Sequence, residues 1–140
     1  MSNGEWREAA YELFPELNAI ISYTNTPYLL WMELNNEFTK AYNAPQNESL
    51  IERIYDYFTW CCSQPEAENT EDDLCTCAMV CFLEHIPEVP AALEDMPWWF
   101  AREDIYEFKE IFTHKVGKTG FKKILRVFDK FEQEHPDLEE

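Results

Sequence analysis

Leu74–Ile86 reads LCTCAMVCFLEHI, and between Leu74 and Leu83 its only polar residue is Thr76. A helical segment with no polar face belongs inside a protein, packed on more than one side. The run Thr70-Glu71-Asp72-Asp73 precedes it, and Pro87 and Pro90 follow. Thr70 suits an N-cap, and three carboxylates suit the positive end of a helix dipole. Proline stops what they begin. The stretch predicts a central buried helix over about 71–86.

The segments on either side carry a helical period. Trp6, Ala9, Ala10 and Leu13 share one face of residues 5–14, and Pro15 either ends that helix or opens a new turn with Glu16 and Leu17. Thr26-Pro27 is a helix start, and the Tyr28–Tyr42 segment bears the stripe Trp31, Leu34, Phe38 and Ala41. Asn43-Ala44-Pro45-Gln46-Asn47 interrupts it. Either the Ser49-x-x-Glu52 capping box or Asn47 starts the next helix, with Leu50, Ile54, Tyr57, Phe58 and Cys61 inward. Ser63–Asn69 reads as a solvated loop.

Downstream, Pro97-Trp98-Trp99-Phe100 forms an aromatic knot between the two halves of the chain. Ile105, Phe108 and Phe112 then carry a helix that Gly117 ends. A last helix follows with Phe121, Ile124, Leu125, Phe128 and Phe131, closed by His135-Pro136. No strand-like alternation and no internal repeat occurs. The expected fold is all-α: one compact domain over residues 1–140, six or seven short helices bundled around the central helix. Its C-terminal tail frays from about 135.

Three of these segments resemble a family in their order along the chain. Phe14-Pro15-Glu16-Leu17, then Tyr28-Leu29-Leu30-Trp31-Met32-Glu33-Leu34, then Ala78-Met79-Val80-Cys81-Phe82-Leu83-Glu84-His85-Ile86 is similar to a pattern in small, uncharacterised bacterial helical proteins. In that family an FPEL-like element precedes a leucine-rich helix and a helix ending in an FLExL-like signature. The resemblance spans roughly residues 10–90. It implies an all-helical domain of unknown function and brings no catalytic residue with it.

Composition excludes several function classes. Hydrophobic residues make up 46% and aromatics 16%, which is incompatible with intrinsic disorder. There are only three glycines, and neither phosphate-cradling motif, GxGxxG or GxxxxGK[ST], occurs. The N-terminal MSNGEWREAA lacks the apolar core of a signal peptide, and no apolar run reaches the roughly 20 residues that span a bilayer. A cytoplasmic location is expected. The net charge is −17. Residues 1–101 hold 3 basic and 18 acidic side chains, whereas residues 102–140 hold 8 and 10. Lys118, Lys122, Arg126 and Lys130 fall four apart on one late stripe, read as a solvated face. Nucleic acid and membranes are not expected partners; a basic protein is.

The cysteines are the obvious chemistry. Cys61, Cys62, Cys75, Cys77 and Cys81 make an odd count with an adjacent pair, a poor disulfide framework, and free cysteine often packs as a small hydrophobe. A metal site on Cys61, Cys62, Cys77 and Cys81, or a thiol-active module on all five, is the alternative. Cys77 and Cys81 share a helical face, but Cys75 points about 200° from Cys77, and no CxxC knuckle exists. Cys81 and His85 stand one turn apart, yet no glycine-rich turn offers an oxyanion site. No metal, cofactor or catalytic residue is therefore expected.

The functional expectation is a non-enzymatic interaction protein that binds a basic protein partner, with an immunity or antitoxin-type neutraliser as one concrete form. Its candidate contact residues are the aromatics Trp98 and Trp99 and the carboxylates Glu71, Asp72, Asp73, Glu94 and Asp95. A homodimer joined through the aromatic knot is the further alternative.

Overall fold

Local signals set most helix boundaries. In the computed structural model, which describes residues 5–43, 45–65 and 73–135, eight α-helices and two 3-10 turns occur and no strand is found among those residues. The helices are α1 (Glu5–Leu13), α2 (Asn18–Tyr23), α3 (Pro27–Ala41), α4 (Glu48–Cys62), α5 (Leu74–Cys81), α6 (Pro90–Trp99), α7 (Arg102–Glu107) and α8 (Lys109–Glu134). The all-α expectation holds. The count exceeds six or seven because short turns at Pro15–Leu17 and Phe108 divide longer segments. Two compact units, Met1–Leu83 and Glu84–Glu140, divide what the sequence reads as one domain.

In the first unit, Thr26 caps α3 by accepting the Leu29 amide at 3.1 Å, with Pro27 at the first helical position. Asn47 caps α4 by accepting the Leu50 amide at 3.1 Å. The Ser49 box does not form, because the Ser49 hydroxyl accepts from Arg53 Nε instead. The same guanidinium donates to both Glu16 carboxylate oxygens, at 2.9 and 2.7 Å, and to the Leu13 carbonyl at 2.7 Å. That fork ties the end of α1 and the Pro15–Leu17 turn to α4.

The Arg53 hydrogen bond holds the Glu16 carboxyl below its ordinary value of 4.5. A depressed carboxyl contributes stability that is complete above that value and lost as pH falls below it. Glu16→Gln should therefore lie within about 1 kcal/mol of the parent at neutral pH, the range for a half-exposed pair. The difference should vanish as the medium is acidified below pH 4.5. Urea unfolding of both proteins across the acid range measures it.

The decisive stretch departs from its expected shape. The helix runs over Leu74–Cys81 and not about 71–86; Asp73 is its N-cap residue and accepts from Thr76 Oγ1 at 3.1 Å. Thr70, Glu71 and Asp72 lie outside the described residues. At Phe82 the backbone leaves the α region (φ −126°, ψ −63°), and Leu83–Glu88 continues as a 3-10 turn containing Pro87. Proline cannot donate to the preceding turn and disfavours α geometry in the residue before it, so the chain tightens ahead of it.

That change of winding lets Phe82, Leu83 and Ile86 all be fully buried. α5 packs against both α3 and α4 with Leu74, Cys77, Ala78 and Cys81 inward, while Val80 is exposed. Phe82 is the hub of the first unit's core. It stacks on Trp31 (centroids 5.2 Å) and meets Phe38 (4.8 Å), Tyr55 (5.5 Å) and Phe58 (5.8 Å). Trp31 also stacks on Tyr57 at 5.3 Å, and the buried Tyr57 hydroxyl donates to the Trp6 carbonyl at 2.8 Å.

In the second unit, α6 and α7 both pack on α8, with Met96, Ile105, Phe112, Phe121, Ile124 and Phe128 buried. Arg102 pins the start of α7 to α8, donating to Glu132 at 3.1 and 3.0 Å and to Asp129 at 2.7 Å. Glu88 bridges His85 (3.1 Å) and Lys115 (3.4 Å).

α8 is broken where the sequence places a stop: Gly117 sits at φ 76°, ψ 176°. That region is essentially confined to glycine. Within the arm beyond it, a Cβ at Gly120 would run into the Val116 side chain. Gly117→Ala has open space for its methyl group but must adopt that backbone, so it should cost about 1–3 kcal/mol. Thermal melting measures the loss.

Candidate interaction surfaces

The expected contact residues divide between the two units. Asp73 lies at the start of α5, half-buried, in the first unit. Glu94, Asp95, Trp98 and Trp99 lie together on α6 in the second unit. Glu71 and Asp72 fall outside the described residues.

On α6 the helical repeat pairs these residues one turn apart. Glu94 and Trp98 form the outer pair: Glu94 is exposed, and Trp98 is 56% exposed. Asp95 and Trp99 form the inner pair, with the Trp99 indole donating to Asp95 at 3.3 Å. Trp98 is held from below. Its ring stands edge-on to Phe131 at 4.9 Å and to His135 at 5.2 Å. Pro97 lies inside α6, and Met96 is the residue of this end that enters the core. The aromatic knot is thus not core filling. It is a supported indole face beside a carboxylate.

The cysteines do not form the arrangement expected of them. Cys62 and Cys75 are joined by a disulfide that closes the connection between α4 and α5, so two of the five are not free thiols. Adjacent Cys61 and Cys62 diverge by one helical step of about 100°, which turns Cys61 into the core and leaves Cys62 half-buried to meet Cys75. Cys61, Cys77 and Cys81 are buried and lie outside the disulfide. Burial pushes the Cys61 thiol up to about 12, and the neighbouring Trp31 and Tyr57 side chains lower it only in part. A thiol held protonated in this way is a packing atom and a poor nucleophile. The four-cysteine set Cys61, Cys62, Cys77 and Cys81 loses Cys62 to the disulfide. Among the described residues no group of three His, Cys, Asp or Glu side chains is placed to hold a metal ion.

A second surface has no counterpart in the sequence reading. Tyr28 (40%), Leu29 (43%) and Met32 (47%) are exposed on α3, and Val80 (41%) on α5. At 100° per residue, Tyr28, Met32 and Leu29 lie about 60°, 100° and 160° from Trp31, off the buried stripe that runs from Leu30 to Trp31. Their signal was present. Apolar residues occupy the side of the helix that its own stripe assigns to water.

Among the described residues no single helix is long and apolar enough to cross a membrane. No protein-family model matches this chain, and no match is found among the curated proteins or the solved structures.

Proposed function

We propose that this chain is a non-enzymatic interaction protein that binds a basic protein partner, in its most concrete form an immunity or antitoxin-type neutraliser. The observation that carries the reading is the outer edge of α6, where an indole 56% exposed stands one turn from an exposed carboxylate in a chain of net charge −17. Tryptophan dominates interface hot spots because its large rigid surface is desolvated at little conformational cost. Phe131 and His135 already support the ring, so little ordering is left to be done on binding.

The surrounding negative potential favours a cationic partner and disfavours polyanions, and its main effect is on the rate of encounter. The buried, protonated Cys61 favours a packing role for the core cysteines over thiol chemistry.

The test is a titration against the basic partner identified by crosslinking in the source cell, run at low and high salt. Trp98→Ala should weaken binding about tenfold or more through faster dissociation. Glu94→Lys should slow association, and raised salt should do the same. Salt-insensitive binding that Trp98→Ala leaves unchanged would overturn the reading.

A further inference from the structure

We infer that the outer face of α3 is a docking surface for an amphipathic, basic helical segment of a protein partner. The inference rests on the basic-partner reading above but concerns a different surface, in the other unit. Tyr28, Leu29 and Met32 lie within about 6 Å of helix rise and turn away from the core stripe. The last turn of α5, which carries the exposed Val80, lies beside the first turn of α3, with the Sγ of Cys81 3.6 Å from the Tyr28 carbonyl oxygen. Asn36 and Thr39 continue the face without charge, and both are exposed. An uncharged, partly apolar strip is conspicuous in a unit with 14 acidic and 3 basic side chains.

Charge decides the occupant. All three cations of this unit are engaged within it. Arg7 donates to the Thr24 carbonyl and lies over the Trp6 ring, Lys40 pairs with Glu37 at 3.5 Å, and Arg53 binds Glu16 and the Leu13 carbonyl. The exposed carboxylates of Glu5, Glu8, Glu12, Glu48, Glu52 and Asp56 form no ion pair among the described residues. The unit therefore offers an apolar centre and unneutralised negative charge, with no free cation. A segment with an apolar face and basic flanks matches both, and two apolar residues one turn apart would span the strip. Met32 supplies a side chain that adapts to a partner's shape. A second copy of this chain, equally acidic, matches only the apolar part.

The probe is a fluorescent 18-residue peptide of lysine and leucine, patterned to put the leucines on one helical face. Its control is the same composition scrambled. The full chain should bind the patterned peptide at least tenfold more tightly than the scrambled one. Met32→Glu should remove most of that difference, and Leu29→Gln should weaken it in the same direction without adding charge. The sign is diagnostic, because Met32→Glu makes the protein more negative. Attraction by charge alone would be unchanged or strengthened.

Equal binding of both peptides, or affinity untouched by Met32→Glu and Leu29→Gln, overturns the inference. So does a concentration-dependent dimer, or attachment to phosphatidylcholine vesicles, that Met32→Glu abolishes. Peptide binding lost only in Trp98→Ala would overturn this surface while leaving the α6 reading intact.

Discussion

Reduction of the Cys62–Cys75 disulfide should lower the melting temperature by about 10 °C. The bond closes a loop between residues 13 apart in sequence. Loop-closure entropy for that length is worth about 3 kcal/mol, and a chain of this size loses about 3–4 °C per kcal/mol. The effect is amplified by position, because the bond joins the last turn of α4 to the first turn of α5, the two elements that carry Phe58 and Phe82 into one core. Calorimetry with and without a dithiol reductant measures the shift. The Cys62→Ser, Cys75→Ser double variant should melt with the reduced protein and ignore the reductant. Unfolded without reductant, the chain should show three reactive thiols, from Cys61, Cys77 and Cys81, and reduction should raise the count to five. Five thiols without reductant would contradict the bond outright.

The other large effect belongs to Phe82. Its fully buried ring touches four other aromatic rings, so Phe82→Ala removes the partner of all of them at once. Truncating a buried phenylalanine costs about 3–5 kcal/mol when the cavity cannot collapse, and stacked indole and phenyl planes resist collapse. That is a large share of the stability of an ordinary domain. Urea unfolding at constant slope should show the loss as a fall in midpoint. Trp98→Ala offers the contrast: as a surface truncation beside Phe131 it should cost under about 1 kcal/mol while weakening binding. The pair separates residues that hold the fold from residues that present it.

What could be read from the residues alone was what local chemistry decides. Thr26-Pro27 and Asn47 start helices because caps act within a single turn, and Gly117 breaks α8 because its φ of 76° is a property of one residue. The apolar stripe of α3 follows from its period. The disulfide was not legible, since pairing depends on which half-turn of α5 approaches α4, and spacing does not encode that approach. Nor was the place where α5 ends. Pro87 forbids a long helix but does not say that Phe82 is where the winding changes.

Trp98 stands out as a contact candidate by residue type, and its exposure on α6 agrees with that, whereas Met32 goes unnoticed until the opposite face of its helix is asked what it carries. The candidate surfaces were thus half readable. Glu94, Asp95, Trp98 and Trp99 lie close in sequence and remain close on one helix, whereas the α3 patch sits on the side of its helix opposite the stripe that draws the eye.

The Cys62–Cys75 bond has a further consequence for the covalent topology of the chain. A peptide bond cut anywhere between Ser63 and Leu74 divides the backbone but not the molecule, since both flanking helices stay attached through sulfur. A nicked preparation would lose no fragment, gaining only one water per cut, and would run as one band on a gel without reductant. Reduced, it would fall into two pieces. For this segment of the chain, backbone integrity on a gel is read from the reduced lane.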